Sequence, residues 1–445
     1  HSRSKFFAPY AAGMRRSSRY QCAKSITVSP DEHSFDSIGA MISLRTAAQA
    51  VLLVIASSLL ILLSPPPPES QRSLICAEAN FIGPHAHILV NCDAESFVRL
   101  AQHPSLVFEP RSMRQTRPGY AALGWTFSWP FKWMDSRGGN SYYAGYVALN
   151  IVLMILMTMM LASFIEANSL IAPAAIVPTA ILLVNHITKA FTWTPHQQIM
   201  GLFISMLAIF LARTAVKRES IPGALEVFAG GLLLGLACLV YGGFLLVPAS
   251  MIAARWMYRR DGHGHMTLLA LSTLAVMAIP LIAWRSLVIA KTGSFYSHET
   301  QYYHEFVWIT ERLRDGTLAA AATQNAAAFA GTFPRALAVP VAFLVAVNGI
   351  AIARGGTRTQ PRMNDSIRAS IAFLIVAIVF YALMGFYDPR LTATLIPPLI
   401  VIVGQLTRES LSGERPGKPK WLPEPLTIAA IGYVALVILL PGPYA

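Results

Sequence analysis

The sequence predicts an all-α integral membrane protein, a polytopic bundle of about eleven transmembrane helices with a helical extracytoplasmic loop region. Of its 445 residues, 54% are hydrophobic and only 13% are charged, whereas soluble domains carry roughly 25% charge. Apolar runs of about twenty residues, the length that an α-helix needs to cross the hydrocarbon layer, recur along the chain. Lys and Arg exceed Asp and Glu by 35 to 22, and such an excess usually lies in cytoplasmic loops.

The first forty residues differ from the rest of the chain. Residues 1–40 are polar, rich in Ser and Arg, and without hydrophobic periodicity. This composition is typical of a basic disordered tail, or of translated sequence upstream of a start at Met14 or Met41. We therefore expect the polytopic domain to cover residues 41–445.

The crossings follow from the apolar runs. The first run, at about 47–63, has basic residues before it and ends at four prolines, 65–68. The positive-inside rule places its start in the cytoplasm, so the loop 65–141 is expected outside. Further spans are predicted at 143–165, 169–187, 198–216, 266–290, 335–353, 367–386, 390–407 and 425–442.

The apolar stretch 222–255 is too long for one crossing. At 1.5 Å per residue it would extend about 50 Å, against a hydrocarbon thickness of about 30 Å. Gly242 and Gly243 permit a bend, and basic residues flank both ends. The sequence therefore predicts a hairpin of two short helices. The total becomes eleven, and loops 65–141 and 291–334 and the link 188–197 lie on the extracytoplasmic side.

Asp93 is the most informative acid in the first outer loop. Phe97, Leu100 and Ala101 follow it at helical spacing, so Asp93 lies at or near a helix N-terminus. A carboxylate there caps free N–H groups and interacts favourably with the helix dipole. The local pattern leaves two interpretations open, a helix cap and a catalytic base. Glu95 is read as a solvated acid of the first turn.

The order of several motifs around Asp93 resembles the GT-C superfamily of polytopic membrane glycosyltransferases, among them protein O-mannosyltransferases and aminoarabinose transferases. The family expects a Tyr where this chain has Phe97, and no second catalytic acid is evident. The matching segments cover about a third of the chain. They are Asp93, Leu100-Ala101-Gln102-His103-Pro104, Arg117-Pro118-Gly119-Tyr120, the glycine-bearing span 231–237, and Tyr387-Asp388-Pro389-Arg390-Leu391.

This resemblance implies transfer of a sugar from a polyprenyl-phosphate donor to a glycan, lipid or protein acceptor on the extracytoplasmic side. Asp93 would be the general base that removes the acceptor's hydroxyl proton. The leaving phosphate needs a fixed cation, and Arg390, Arg117 and Lys189 are the candidates in that order. The alternative for Arg390 is a snorkelling anchor paired with Asp388. No cofactor is certain, and use of a divalent metal stays open.

The loop 295–306 is dense in aromatic residues, His and Glu. Its two His-Glu pairs do not fit a zinc signature such as His-Glu-x-x-His. The favoured interpretation is an interfacial aromatic belt on an amphipathic helix. The functional alternative is a lid over the substrate formed by Tyr302, Tyr303, His304 and Glu305.

Two other functional classes compete with a transferase. A transporter or flippase would place polar residues in the middle of its spans, but the span centres here are almost purely apolar. A non-catalytic scaffold subunit is the other class. We expect a multi-pass protein of a bacterial inner membrane, with the lipid bilayer as one of its partners. No nucleic-acid partner is expected, because no basic patch with exposed aromatics lies outside the loops. Cys76 and Cys92 share one outer loop and could form a disulfide.

Overall fold

The computed structural model describes residues 44–65, 75–80, 87–110, 112, 114–259, 263–355, 363–412 and 423–440. The predicted tail 1–40 lies outside these residues, so the domain boundary near residue 41 stays a prediction. The side chains of Cys76 and Cys92 also lie outside the described part, and their pairing stays a prediction too.

Sixteen α-helices and one pair of antiparallel strands lie in the described part of the chain. The two strands are β1 (Ile75–Asn80) and β2 (His87–Asn91). The helices are α1 (Leu44–Leu62), α2 (Cys92–Gln102), α3 (Pro118–Ser128), α4 (Ser141–Ile165), α5 (Pro173–Leu183), α6 (His186–Phe191), α7 (Gln198–Lys217), α8 (Ala224–Cys238), α9 (Leu246–Tyr258), α10 (His263–Thr292), α11 (His298–Gln301), α12 (Trp308–Arg314), α13 (Leu318–Gly355), α14 (Asp365–Met384), α15 (Ile396–Ser412) and α16 (Pro423–Leu439). Short 3₁₀ helices occupy Pro104–Phe108, Trp129–Arg137, Gly242–Leu245 and Pro389–Leu395.

Seven helical segments among the described residues are long and apolar enough to cross a membrane. They are Leu44–Leu62, Ser141–Ile165, Gln198–Lys217, Gly264–Thr292, Leu318–Ala353, Asp365–Met384 and Pro389–Leu411. Three shorter apolar helices, Pro173–Leu183, Ala224–Cys238 and Pro425–Leu439, accompany them. The predicted fold class, a polytopic helix bundle, is thereby confirmed, whereas the count of eleven crossings stays a prediction.

The predicted bend within 222–255 is present. Helix α8 ends at Cys238, a 3₁₀ turn spans Gly242–Leu245, and α9 begins at Leu246. Helix α8 packs along α10 and α9 packs along α7. A Cβ added at Gly231 or Gly235 would collide with Val276 and Met277 of α10. The G-x-x-x-G pair is therefore a close helix contact.

Three features differ from the expected spans. Helix α13 begins at Leu318 rather than near residue 335, so the second outer loop is shorter than predicted. The predicted span 169–187 ends at Leu183, and α6 follows because Asn185 caps it through the amides of Ile187 and Thr188. The small β1–β2 sheet was not predicted, and its pairing shifts register between Ile75 and Ala77.

The bundle has two chemically distinct ends. We call the end that carries Glu166 the lower end, where Arg213 and Arg408 reach the Glu166 carboxylate at 3.5 and 2.5 Å. Helix α1 starts there, since Thr46 Oγ1 donates to the carbonyl of Asn168 at 3.5 Å.

At the other end, which we call the upper end, α1 finishes close to the link before α7. The indole nitrogen of Trp193 donates to the carbonyl of Ser58 at 2.8 Å. Helices α4 and α7 begin at this end and α14 finishes there. The loop segments that carry the motifs therefore converge on the upper end.

Candidate functional site

Helix α2 places Asp93 at the upper end of the bundle. Phe97, Leu100 and Ala101 are buried, as their helical spacing predicted. The Phe97 ring packs edge-on against Tyr120 with centroids 4.8 Å apart, and the Tyr146 hydroxyl donates to the Phe97 carbonyl at 3.2 Å. This packing holds the first turn of α2, and hence Asp93, in place.

Three cationic or hydrogen-bonding side chains converge on the Asp93 carboxylate. Arg114 Nη2 donates to Oδ1 at 2.6 Å, while His196 Nε2 and Arg390 Nη1 lie 3.5 and 3.8 Å from Oδ2. The hydrogen bond from His196 and the charges of Arg114 and Arg390 hold the Asp93 pKa well below its usual range. Asp93 is therefore an ionised carboxylate at neutral pH and a weak proton acceptor.

His196, from the link 188–197, also lines the pocket. Its ring is buried and stacks on Phe191 with centroids 4.4 Å apart. Burial lowers the His196 pKa to about 4, so the ring is neutral at pH 7. Its Nε2 faces Asp93, and its buried Nδ1 has no hydrogen-bond partner among the described residues. The feature of the sequence that could have identified His196 is its position in the link 188–197, between two predicted spans.

Arg117 reaches the same pocket from the start of α3. Its Nη2 forms an ion pair with Glu299 Oε1 at 2.7 Å, and its Nη1 donates to Gln197 Oε1 at 3.0 Å. The guanidinium also lies over the Tyr241 ring, 5.4 Å from the centroid. Glu299 and Arg114 were not among the sequence-predicted site residues, and the structure adds both.

Arg390 lies beside Asp93, as the sequence predicted for a shared site. Its Nε and Nη2 donate to Asp388 Oδ2 at 3.0 and 2.7 Å, and its amide donates to Oδ1 at 2.8 Å. Asp388 thus holds the guanidinium through one edge. The remaining nitrogen, Nη1, faces the pocket and Asp93.

Lys189 is not among the residues that line this pocket, and its role in phosphate binding stays a prediction. Its Nζ donates to the carbonyl oxygens of Val437, Ile438 and Leu440 at 3.1, 3.1 and 2.6 Å. These carbonyls end α16, where a lysine side chain satisfies the last free acceptors of the helix. The physical role of Lys189 is to cap a neighbouring helix.

The segment predicted as a lid contributes two of its four named residues. Tyr303 and Glu305 line the pocket, together with His298 and Glu299. Tyr302 is exposed and stacks on His298 with centroids 4.8 Å apart. His304 faces Glu311, 3.1 Å away. Only the short helix α11 forms here, not the continuous amphipathic helix that the favoured interpretation expected.

The charged pocket adjoins an apolar cavity. The pocket itself is small, about 110 Å³. The neighbouring cavity of about 270 Å³ shares Arg117, Tyr241, Glu299, Glu305 and Leu391 with it. Apolar side chains from α7, α14 and the start of α9 line most of the rest, among them Ile204, Leu245, Leu246, Phe380 and Met384. Hydroxyl groups of Thr116, Ser297, Thr300, Tyr381 and Thr394 also line it. A charged headgroup site is thus joined to a space suited to an apolar chain.

Among the described residues, no group of three or more His, Cys, Asp or Glu side chains is arranged to hold a metal ion. Use of a divalent metal stays open.

Comparison with known proteins gives one structural similarity. No family model matches the sequence, and no curated protein matches it. The chain is similar to the crystal structure of ArnT from Cupriavidus metallidurans bound to undecaprenyl phosphate, with a TM-score of 0.44 and 15% sequence identity. The alignment covers 80% of this chain and 59% of that chain, so this chain spans less than two thirds of its length. A similarity of this degree leaves function to be argued from the site.

Proposed function

We propose that the chain is a GT-C-like glycosyltransferase that moves a sugar from a polyprenyl-phosphate donor to an acceptor on the extracytoplasmic side. One observation carries the proposal. Arg114 and Arg390 flank Asp93, Arg117 lines the same pocket at one end of the bundle, and that pocket adjoins a largely apolar cavity between the helices. This combination suits a ligand with an anionic headgroup and an apolar tail.

The arginines suit a phosphate because their geometry is already set. Arg117 is oriented by Glu299 and Gln197, and Arg390 by Asp388. A guanidinium has five N–H donors, so each retains donors for phosphate oxygens. When the bond between sugar and phosphate breaks, negative charge grows on the leaving phosphate. Preorganised cations at that position stabilise the transition state.

Asp93 supplies a negative charge at the same place. It stays ionised at neutral pH because of its three neighbours. A carboxylate here can contact the reacting sugar ring and offset the positive charge that develops at the anomeric carbon. Its role as the general base, predicted from the sequence, stays a prediction.

The location of the pocket supports the proposed sidedness. Helix α1 begins at the lower end, and the basic residues before it are expected in the cytoplasm. The pocket lies at the upper end, so a bacterial inner-membrane protein would carry it on the extracytoplasmic face. The partners would be the bilayer, the lipid-linked sugar, and a glycan, lipid or protein acceptor.

A transporter is less well supported by the same geometry. Transporters bind substrate near the bilayer midplane between broken helices, but here the charged groups gather at a helix end. Asn150 is a buried polar residue of α4. Its Nδ2 donates to the carbonyls of Phe191, Thr192 and Thr194 at 3.0, 3.3 and 3.1 Å, so this amide holds the structure together rather than a substrate.

The test uses the full chain in nanodiscs with a panel of polyprenyl-phosphate-linked hexoses and pentoses. A lipid extract of bacterial envelopes serves as the acceptor source. We expect release of free polyprenyl phosphate, measured by mass spectrometry, and its loss in Arg117→Ala. Arg408→Ala, a salt-bridged arginine at the lower end, serves as the control and should retain activity. Equal donor consumption by Arg117→Ala and wild type would contradict the proposal.

A further inference from the structure

Glu305 is the acid of the pocket that lacks a cationic partner. Four acids line the described pocket, and three of them pair with an arginine. Arg114 holds Asp93 at 2.6 Å, and the other two pairs, formed by Glu299 and Asp388, are equally short. No hydrogen bond or ion pair to the Glu305 carboxylate is present among the described residues. Its oxygens therefore remain available to a bound molecule.

The backbone around Glu305 is held in an unusual conformation. Its neighbours His304 and Phe306 have φ of 55° and 63°, a region that is uncommon outside Gly and rare for a bulky side chain such as Phe. The Glu305 amide donates to the carbonyl of Glu299 at 3.1 Å, and the Phe306 amide donates to the carbonyl of Met384 at 3.2 Å. Backbone strain of this kind collects at functional sites, where the surrounding structure maintains it.

These contacts orient the two side chains differently. The Phe306 ring packs edge-on against Phe380 of α14, with centroids 5.4 Å apart. Glu305 lines both the charged pocket and the adjoining apolar cavity. The carboxylate thus borders the space that the headgroup of a lipid carrier, its phosphate and attached sugar, would occupy.

The surroundings of Glu305 suit proton transfer. Burial and the charge of Glu299 raise the Glu305 pKa to about 7, against the opposing effect of Arg117. A general base is most effective when its pKa lies near the working pH. The titratable and charged groups that line the pocket and cavity around it are Asp93, Arg114, Arg117, His196, Cys238, Tyr241, His298, Glu299, Tyr303, Tyr381, Asp388 and Arg390.

We propose that Glu305 is the general base that accepts the acceptor's hydroxyl proton, while Asp93 stays ionised and faces the sugar. This inference rests on the proposed function. The acceptor oxygen forms a bond to the anomeric carbon, and the bond from that carbon to the carrier phosphate breaks. The electron pair of the broken bond stays on the phosphate oxygen beside the arginines. The proton moves to the Glu305 carboxylate and then to water.

The experiment compares pH–rate profiles of donor consumption in nanodiscs. In the wild type, the rate should fall about tenfold per pH unit below about pH 7, as the base becomes protonated. The turnover rate of Glu305→Gln should be lower by about 10²-fold or more at pH 8. Its pH–rate profile should lack the acid limb, the fall in rate below about pH 7. Its affinity for polyprenyl phosphate, measured separately, should match the wild type. Glu305→Asp should keep the limb, with partial activity.

Glu95→Gln is the matched control, because Glu95 is an exposed acid that does not line the pocket. It should behave as wild type. Wild-type turnover with an unchanged limb in Glu305→Gln refutes the role of Glu305. A limb that disappears in Asp93→Asn and persists in Glu305→Gln refutes it as well and assigns the proton to Asp93.

Two further outcomes separate this inference from the proposed function. A wild-type protein that neither binds polyprenyl phosphate nor consumes any donor refutes the proposed function, and the role of Glu305 with it. If Glu305→Gln loses carrier binding, Glu305→Asp decides. If Glu305→Asp regains turnover and the fall in its rate at low pH lies at a different pH from that of the wild type, Glu305 is the base. If it regains carrier binding but its turnover shows no such fall, the role of Glu305 is refuted.

Discussion

Replacement of Arg390 by lysine tests whether this guanidinium binds the phosphate of a lipid carrier. Two of its nitrogens donate to Asp388 at 3.0 and 2.7 Å, and Nη1 faces the pocket. A lysine has one nitrogen, which we expect to remain with Asp388. The pocket would then lose the hydrogen-bond donor that Arg390 Nη1 supplies, while the local positive charge stays the same.

The expected magnitude follows from that single lost contact. A hydrogen bond to a charged group contributes about 1.5–3 kcal/mol, so the affinity of Arg390→Lys for polyprenyl phosphate should fall about 10-fold to 150-fold. Arg390→Ala also removes the positive charge. It should bind more weakly still and lose turnover, since the charge of the leaving phosphate grows toward the transition state.

The assay is a titration of nanodisc-embedded protein with polyprenyl phosphate, followed by native mass spectrometry. Arg408→Lys is the control, because Arg408 belongs to the same apolar segment and forms an ion pair with Glu166 at the lower end. Its affinity should equal that of the wild type. If Arg390 only anchors the helix at the interface, lysine replaces it fully. Wild-type affinity and rate in Arg390→Lys would therefore refute phosphate binding.

Four other predictions concern Asp93, Lys189, Gly385 and the membrane topology. Asp93→Asn should reduce turnover about 10²-fold without weakening carrier binding, because the amide cannot offset positive charge at the anomeric carbon, and unchanged turnover would leave Asp93 only a helix cap. Lys189→Met should lower the free energy of unfolding by about 1.5–3 kcal/mol, seen as a lower Tm, and leave carrier affinity intact; a loss of affinity would return Lys189 to the site. Gly385→Ala should also lower Tm, because Gly385 has φ of 73° and an added Cβ would collide with Trp308; an unchanged Tm would argue against that close approach. In a cysteine-free background, Ser136→Cys should react with an impermeant thiol reagent from outside and Glu219→Cys should not, and the reverse labelling would invert the topology.

The local sequence predicted a polytopic helix bundle and the helix that carries Asp93. The bend within 222–255 follows from the length of the stretch and from Gly242 and Gly243, and α2 follows from the spacing of Phe97, Leu100 and Ala101. The ends of helices were less predictable where the apolar pattern extends past the predicted span. Alanine-rich residues before 335 extend α13 back to Leu318, since alanine favours helix without requiring burial.

The site was only partly predictable. Asp93, Arg117 and Arg390 were named from motifs, and the structure brings them to one pocket. Arg114 and His196 were missed because they lie 21 and 103 positions after Asp93 and belong to no local pattern that marks them. Lys189 lies in the outer link close to His196 in sequence, but its side chain extends to the end of α16.

The sequence by itself determined that this chain is a polytopic membrane protein and carries a motif-bearing loop after its first apolar helix. Both conclusions rest on hydrophobicity and periodicity, which are local properties of consecutive residues. Only the tertiary structure decided which acids are neutralised by arginines and which one remains available. Ion pairing and desolvation depend on distances between residues remote in the chain. For that reason Glu305, one of several acids in an aromatic loop, becomes distinct only when Arg117, Glu299 and the α14 end are placed around it.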